Sequence, residues 1–424
     1  FTKFIKNFNG KNNSENNFEL TLQEVSNDKY LKLYRIESDL IDYETETLES
    51  ALDFSHYNDD LFLGFKASRH ETLRDSYNDK YEYIAPDIVL DKNLFASNKY
   101  GNADFQSNFK VRNYDTNKFT KFLVNDVDWR FKKSILPNIF DGNILAKLKN
   151  VNYEAKNTNK HKEDTTSELF GAIGYLTEFD LYKKTKNNSN HLLTPKMLLR
   201  YAPEHMKKET DSIRLNNKNI FDLDRLNIND NLESGKSATI GFDYKIENTN
   251  DEINFSLGQV INEKNNKNMP DSSSLDKRFS DAVGNINYKN NKNFEINYNY
   301  ALDQNYKDLN YNELGSKLET DSMKLDFNYL QEKKHVGDQE YFKTNIEFAK
   351  GENTVFSAGT KRNLVTNSAE YYNLSYEYLN DCLRAGLVFR REFYNDSELE
   401  PENSLMFKIT LTPLGDINSP SFHK

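Results

Sequence analysis

FEINYNY (294–300) and MKLDFNY (323–329) alternate apolar and polar residues without a break. On a strand, successive side chains point to opposite faces. Phe294, Ile296, Tyr298 and Tyr300 therefore share one face, and Glu295, Asn297 and Asn299 the other. Met323, Leu325, Phe327 and Tyr329 oppose Lys324, Asp326 and Asn328 in the same way. SATIGFDYK (237–245) repeats the pattern, with Ala238, Ile240, Phe242 and Tyr244 against Thr239, Asp243 and Lys245. From about residue 236 onward, such segments recur with turns between them. A soluble sandwich would also bury an apolar face. The connections separate the two: they alternate short and long, as in a barrel with one end in the periplasm and one outside the cell. The pattern predicts an all-β chain forming a large antiparallel transmembrane β-barrel of the outer-membrane type.

Composition agrees. The chain has 424 residues, 37% hydrophobic, 29% charged and 13% aromatic, which allows one very large barrel or two to three soluble domains. A mean hydropathy of -0.86 is compatible with a barrel, because only alternate strand residues face lipid. No apolar run approaches the ~20 residues of a membrane helix. The 26 Tyr and 29 Phe suit aromatic girdles at two interfaces, although both residues favour strands in any setting. The net charge of -10 is spread through the chain with no basic stripe, so a nucleic-acid partner is not expected. KNNSENN (11–17), KKTKNNSN (183–190) and NEKNNKN (262–268) read as turn and loop composition.

Strands can be traced backwards from the C-terminus. The last is read as Ser404–Pro413, with Leu405, Phe407, Ile409 and Leu411 outward and Met406, Lys408 and Thr410 inward. Before it, Cys382–Tyr394 places Leu383, Ala385, Leu387 and Phe389 outward and Arg384 and Arg390 inward. Short, periplasmic turns are expected at Asn380-Asp381, Gly351-Glu352-Asn353, Thr320-Asp321, 290–292, 248–251, His56–Asp59 and Ser26-Asn27-Asp28. Longer, extracellular connections are expected at 333–339, 261–279, 204–235 and 69–80, while 91–101 and 183–191 fit the parity less well. The walk yields roughly 21 strands, whereas single-chain bacterial barrels have even numbers. It also leaves Phe1, at the start of a sequence with no signal peptide, on the extracellular side. A processed product or fragment with an odd number of missing strands is the expectation.

Five segments carry a family resemblance in the right order: LTLQEVSNDKYLKLYRI (20–36), LTPKMLLRYAP (193–203), NIFDLDRLNINDNLESGKSATIGFDY (219–244), YEYLNDCLRAGLVFRREF (376–393) and FKITLTPLGD (407–416). Together they resemble the C-terminal barrel of LptD, the lipopolysaccharide-assembly outer-membrane family. The resemblance implies a barrel of about 26 strands preceded by a periplasmic β-jellyroll. On this reading residues 1–416 are barrel, 417–424 are a tail, and the jellyroll and about five strands are missing. It also implies export of lipopolysaccharide to the outer leaflet through a lateral gate between first and last strands, without enzymatic chemistry. Implied partners are lipopolysaccharide, an LptE-like lipoprotein plug, an LptA-like periplasmic bridge and the barrel-assembly machinery, all at the outer membrane.

Cys382 is the only cysteine, and the strand trace puts it at the periplasmic mouth, where a disulfide is chemically sensible. The family resemblance implies that it bridges to the jellyroll; an inert thiol is the plainer alternative. Asp381 stands beside it where many family members carry a second cysteine, so at most one such bridge is available. On the gate strand, Ser404, Met406, Lys408, Thr410 and Thr412 are read as lumen-facing, a register that a slip of one residue would invert. Pro413 lacks a ladder donor and suits a strand end. Lys408 offers a point charge to a lipid phosphate, although a solvated lumen lysine satisfies the same pattern.

Other motifs carry less. FDLDRLNINDNLESG (221–235) has carboxylates spaced as if for calcium, but Leu226 and Asn227 stand where an EF-hand needs Asp or Asn and Gly. It reads as part of a long loop packing into or over the barrel. The histidines at 56, 70, 161, 191, 205, 335 and 423 are dispersed and form no HExxH or Cys/His cluster, so neither metal nor cofactor is expected. No GxSxG, Walker or GxGxxG motif suggests catalysis. The alternatives are a passive porin or TonB-type receptor, a surface adhesin or soluble β-protein, and a barrel enzyme. A porin would have no need of Cys382, and a receptor would show a plug and TonB box.

Overall fold

The computed structural model describes the chain apart from residues 11–13, 35, 37–39, 43–44, 75–78, 135–140, 186–188, 204, 212, 291–292, 334–336, 352, 381–382, 393–402, 412–414, 419–421 and 424. Its first strands are β1 (Thr2–Asn9), β2 (Glu15–Leu22), β3 (Thr47–Asn58), β4 (Leu61–Thr72), β5 (Tyr81–Ser97), β6 (Gly101–Tyr114), β7 (Lys118–Lys132) and β8 (Asp141–Lys156). Then come β9 (Thr166–Glu178), β10 (Leu181–Lys184), β11 (Asn190–Ala202), β12 (Gly235–Glu247), β13 (Asp251–Asn262), β14 (Ala282–Asn290), β15 (Phe294–Leu302) and β16 (Leu309–Glu319). The remainder are β17 (Met323–Glu332), β18 (Gln339–Lys350), β19 (Thr354–Asn363), β20 (Ser368–Leu379), β21 (Leu383–Glu392), β22 (Asn403–Leu411), β23 (Gly415–Asn418) and β24 (Phe422–His423). Among the described residues a short α-helix, α1, covers Tyr30–Tyr34, and a 3-10 turn covers Asp271–Ser273.

All 24 strands lie in one sheet. The pairing is an antiparallel meander of nearest neighbours; β9 pairs directly with β11, and β10 is a short addition on β11. Twenty-one of the strands are eight residues or longer. That number matches the strand count expected from alternation.

The two faces differ as the sequence predicts. Inside, amides form ladders across strands: Asn285 Nδ2 donates to Asn297 Oδ1 at 2.6 Å and to Asn299 Oδ1 at 2.7 Å, and Asn299 Nδ2 to Glu313 Oε2 at 3.0 Å. Outside, large apolar side chains stand in rows. Phe348, Phe356, Tyr376, Leu387 and Phe407 are successive register partners across β18–β22. So are Ile346, Ala358, Leu374, Phe389 and Leu405. Leu374 is 54% exposed and Phe348 51%. Contiguous apolar surface of this kind is not left to water in soluble monomers. It is a lipid-facing wall.

At one end the connections are tight: 59–60, 98–100, 248–250, 320–322 and 351–353, the last opened by Gly351 with a φ of 68°. At the other end lie 203–234 and 263–281, both long, as expected. One expected turn is not there. Ser26-Asn27-Asp28 belongs to the 24-residue connection from β2 to β3, at the long-loop end, where α1 forms. Leu31 of α1 is buried with Ile41, Leu48 and Leu73, so tertiary packing decides its conformation.

A charge on the outer wall is costly in lipid. Leu374→Arg is expected to lower stability in bilayers by about 2–4 kcal/mol, while Asn345→Arg on the inner face is expected to stay within about 0.5 kcal/mol. Denaturant unfolding in liposomes measures both, and equal penalties would remove the assignment of the faces.

Candidate functional site: the luminal loop and the last strand

The largest buried clusters among the described residues lie between the 203–234 loop and the inner wall. Two apolar clusters form there. In one, Leu223 and Leu232 of the loop pack with Val151, Tyr153, Phe170, Leu176 and Leu198 of the wall. In the other, Leu215, Ile220, Leu226 and Ile228 meet Met269 and Leu275 of the 263–281 loop and Val260, Val283 and Tyr311 of the wall. The wall accommodates them by omitting side chains. A Cβ on Gly174 would lie 2.7 Å from Leu223 Cδ2, and one on Gly258 2.9 Å from Ile220 Cδ1. The loops also bond each other, through Glu209 N to Asn268 O at 2.8 Å and Asn268 Nδ2 to Met206 O at 3.2 Å.

Buried ions fix the register of this packing. Arg225 is 1% exposed; its Nη1 donates to Glu233 Oε1 at 2.9 Å and its Nη2 to Ser237 Oγ at 2.7 Å. Arg200, on β11, reaches the backbone carbonyls of Leu223 at 2.8 Å and Glu233 at 2.6 Å. Lys149 on β8 is 1% exposed, donates to Asp224 Oδ2 at 2.8 Å, and also bonds the Ile228 carbonyl. Burial pushes the Arg225 guanidinium down to about 10, against the pull of Glu233. At the rim, Lys207 meets Glu168 at 2.7 Å and lies 4.6 Å over the Tyr153 ring. Arg214 pairs with Glu332 at 3.3 Å and sits 3.4 Å over Tyr311.

Two of the carboxylates that hinted at calcium are spent on these cations, Asp224 on Lys149 and Glu233 on Arg225, while Asp230 lies 3.5 Å from the His161 ring. Among the described residues no cluster of three or more metal-ligating side chains occurs. Lys149, Arg200 and Arg225 were not singled out by the sequence. An inward lysine in a barrel strand is ordinarily solvated, and its loop partner is 75 residues away.

The last long strand is β22, paired to β21 with Ser404 opposite Arg390, Met406 opposite Val388, Lys408 opposite Gly386 and Thr410 opposite Arg384. Ser404 is 2% exposed and Met406 half-buried, while Leu405 and Phe407 are exposed on the outer wall. The side chains of Lys408 and Thr410 are outside the described set, and Thr412 and Cys382 lie outside the described residues altogether. Arg384, expected inward, pairs with Glu377.

Removing one member of a buried ion pair strands the other. Glu233→Ala is expected to cost about 3–5 kcal/mol and to expose Lys207, Lys208 and Arg214 to trypsin. Arg225→Met with Glu233→Leu is expected to recover much of the loss; cleavage as fast as in the single variant would show that the pair does not hold the loop. His161 offers a second probe. Burial against Phe122 and Tyr153 holds its imidazole below the usual range, with Lys160 and Lys207 acting in the same direction and Asp230 opposing. As pH falls through about 6.5 the unfolded loop takes up this proton first, so the folded loop loses stability on the acid side. Limited proteolysis at neutral and mildly acid pH is expected to show that loss, and His161→Gln to flatten it.

The LptD family, LPS transport system D, matches residues 4–376. A comparison with curated proteins gives no match. Among solved structures, the siderophore receptor PirA from Acinetobacter baumannii is 8% identical, with 87% of this chain and 72% of that one covered and a TM-score of 0.43. A ferric enterobactin receptor (PfeA) mutant from Pseudomonas aeruginosa is also 8% identical, with 86% and 70% covered and a TM-score of 0.38. With its two-faced antiparallel sheet and a match over most of its length, the chain belongs to the LptD family of lipopolysaccharide-transport proteins of the bacterial outer membrane.

Proposed function

We propose that this protein passes lipopolysaccharide to the outer leaflet through a seam beside β22, by transport alone and with no bond made or broken. The family match supports the cargo. The observation that carries the route is the arrangement of rows at β22. Lipid-facing Leu405 and Phe407 alternate there with inward Ser404 and Met406, so one strand borders both the bilayer and the lumen. Acyl chains would leave sideways along the outer rows. Sugars would follow the polar inner row formed by Asn345, Gly359, Asn373, Arg390 and Ser404. By the alternation of the sequence Lys408, Thr410 and Thr412 would line the inner side of the gate strand, where Lys408 would offer a cation to a lipid phosphate.

In this reading residues 1–416 form the barrel portion and the tight-turn end faces the periplasm. Cys382, two residues after Asn380 in sequence, bridges to a periplasmic β-jellyroll. An LptA-like bridge delivers the cargo there, an LptE-like lipoprotein occupies free lumen, and the barrel-assembly machinery inserts the chain. A passive porin is disfavoured because a clear lumen is what it needs, and the 203–234 loop is packed onto the inner wall.

Depleting the full-length protein is expected to remove newly made lipopolysaccharide from the cell surface while it accumulates inside; unchanged surface labelling would end the transport reading. Separately, the full-length protein is expected to shift on a gel on reduction, and Cys382→Ser to abolish the shift. A shift that persists in the variant would rule out the bridge.

A further inference from the structure

We propose that the outer wall binds lipopolysaccharide of the outer leaflet in a groove across β8, β9, β11, β12 and β13, with a phosphate of the lipid at Lys236 and Arg278. The proposal rests on the reading above that the tight-turn end faces the periplasm, which puts this groove at the outer leaflet. The hollow measures about 690 Å³, within the ~300–1,000 Å³ of ligand sites. Strands β14–β21 lie between it and β22, so it is distinct from the exit route.

The register builds the groove. Ile144, Tyr175, Leu199, Ala238 and Ile261 are successive partners across the five strands. A bridge from Ile261 to Phe279 carries this row into the 263–281 loop as it returns. One step nearer the long loops, Ile173, Tyr201 and Lys236 form the next row. Leu199 is 47% exposed and Ile173 50%, so both rows face lipid as the rows of β18–β22 do. Ala238 stands between Leu199 and Ile261 with only a methyl group, and the wall is hollowed there.

The long-loop end of the groove is charged. Lys236, the second residue of β12, pairs with Glu263 at 3.3 Å, and both side chains are exposed. An exposed pair of this kind is weak, so its lysine is available to a phosphate. Arg278 lines the same end, is exposed, and has no ion pair among the described residues. Two cations thus stand against one carboxylate. Beyond them lies a polar cup of about 210 Å³ that shares Lys236 and Asn262 with the groove and adds Asn265 and Lys267. Apolar trough, cations and polar cup follow the order of acyl chain, phosphate and sugar in a phosphorylated glycolipid. The hollow of about 470 Å³ on β18–β22 supplies the contrast, because no charged residue lines it. Either hollow suits an acyl chain; of the two, the one at Ala238 also suits a head group.

The test uses the full-length protein in phosphatidylcholine nanodiscs, with acetylation of the Lys236 amine read by mass spectrometry. Lipopolysaccharide titrated into the disc is expected to protect Lys236, while Lys324 at the tight-turn end stays labelled. Phosphatidylglycerol and dephosphorylated lipopolysaccharide are expected to leave both labelled. Arg278→Gln is expected to weaken the protection about 5-fold. Ala238→Trp, which fills the trough without changing the charge, is expected to abolish it. No protection of Lys236 in the unaltered protein would overturn the site. Equal protection by phosphatidylglycerol would overturn the glycolipid as its occupant, and protection unchanged by Ala238→Trp would overturn the acyl groove. None of these failures touches the transport reading, which stands or falls on depletion.

Discussion

The rest of the structure depends on one constraint: in hydrocarbon, no backbone N–H or C=O can go unpaired, and each failure costs several kcal/mol. A meander of nearest-neighbour antiparallel strands satisfies it with the shortest connections. From β2 to β22 each long strand is bonded on both edges. Once the ladder is complete, the side chains are released from backbone duty and sort by solvent. Apolar residues line up outward in rows that cross five strands, while Asn, Ser and Glu link across the inner face.

A sheet that gives its apolar face to lipid has no ordinary core. The buried clusters therefore form where the chain returns to the lumen, between the long loops and the wall. Their apolar content alone would let the loop slide along the strands. Lys149 and Arg200 restrict it, because each reaches particular loop carbonyls or carboxylates and would leave a stranded charge anywhere else. Buried ions are weak contributors to net stability and effective selectors of one arrangement.

Period-two alternation made most of the sheet legible, since a barrel needs it in every stave, and the long connections at 203–234 and 263–281 were visible as breaks in it. At 30–34 the helix YLKLY carries no period-two signal of its own, and the packing of Leu31 with Leu48 and Leu73 selects it. The luminal anchors were hidden for another reason. Lysine and arginine at inward positions are unremarkable in a barrel sequence, and only the folded loop converts Lys149 from a solvated group into a buried one. The pairing of GDIN (415–418) was not legible because the barrel was read as ending at 416 with a tail after it.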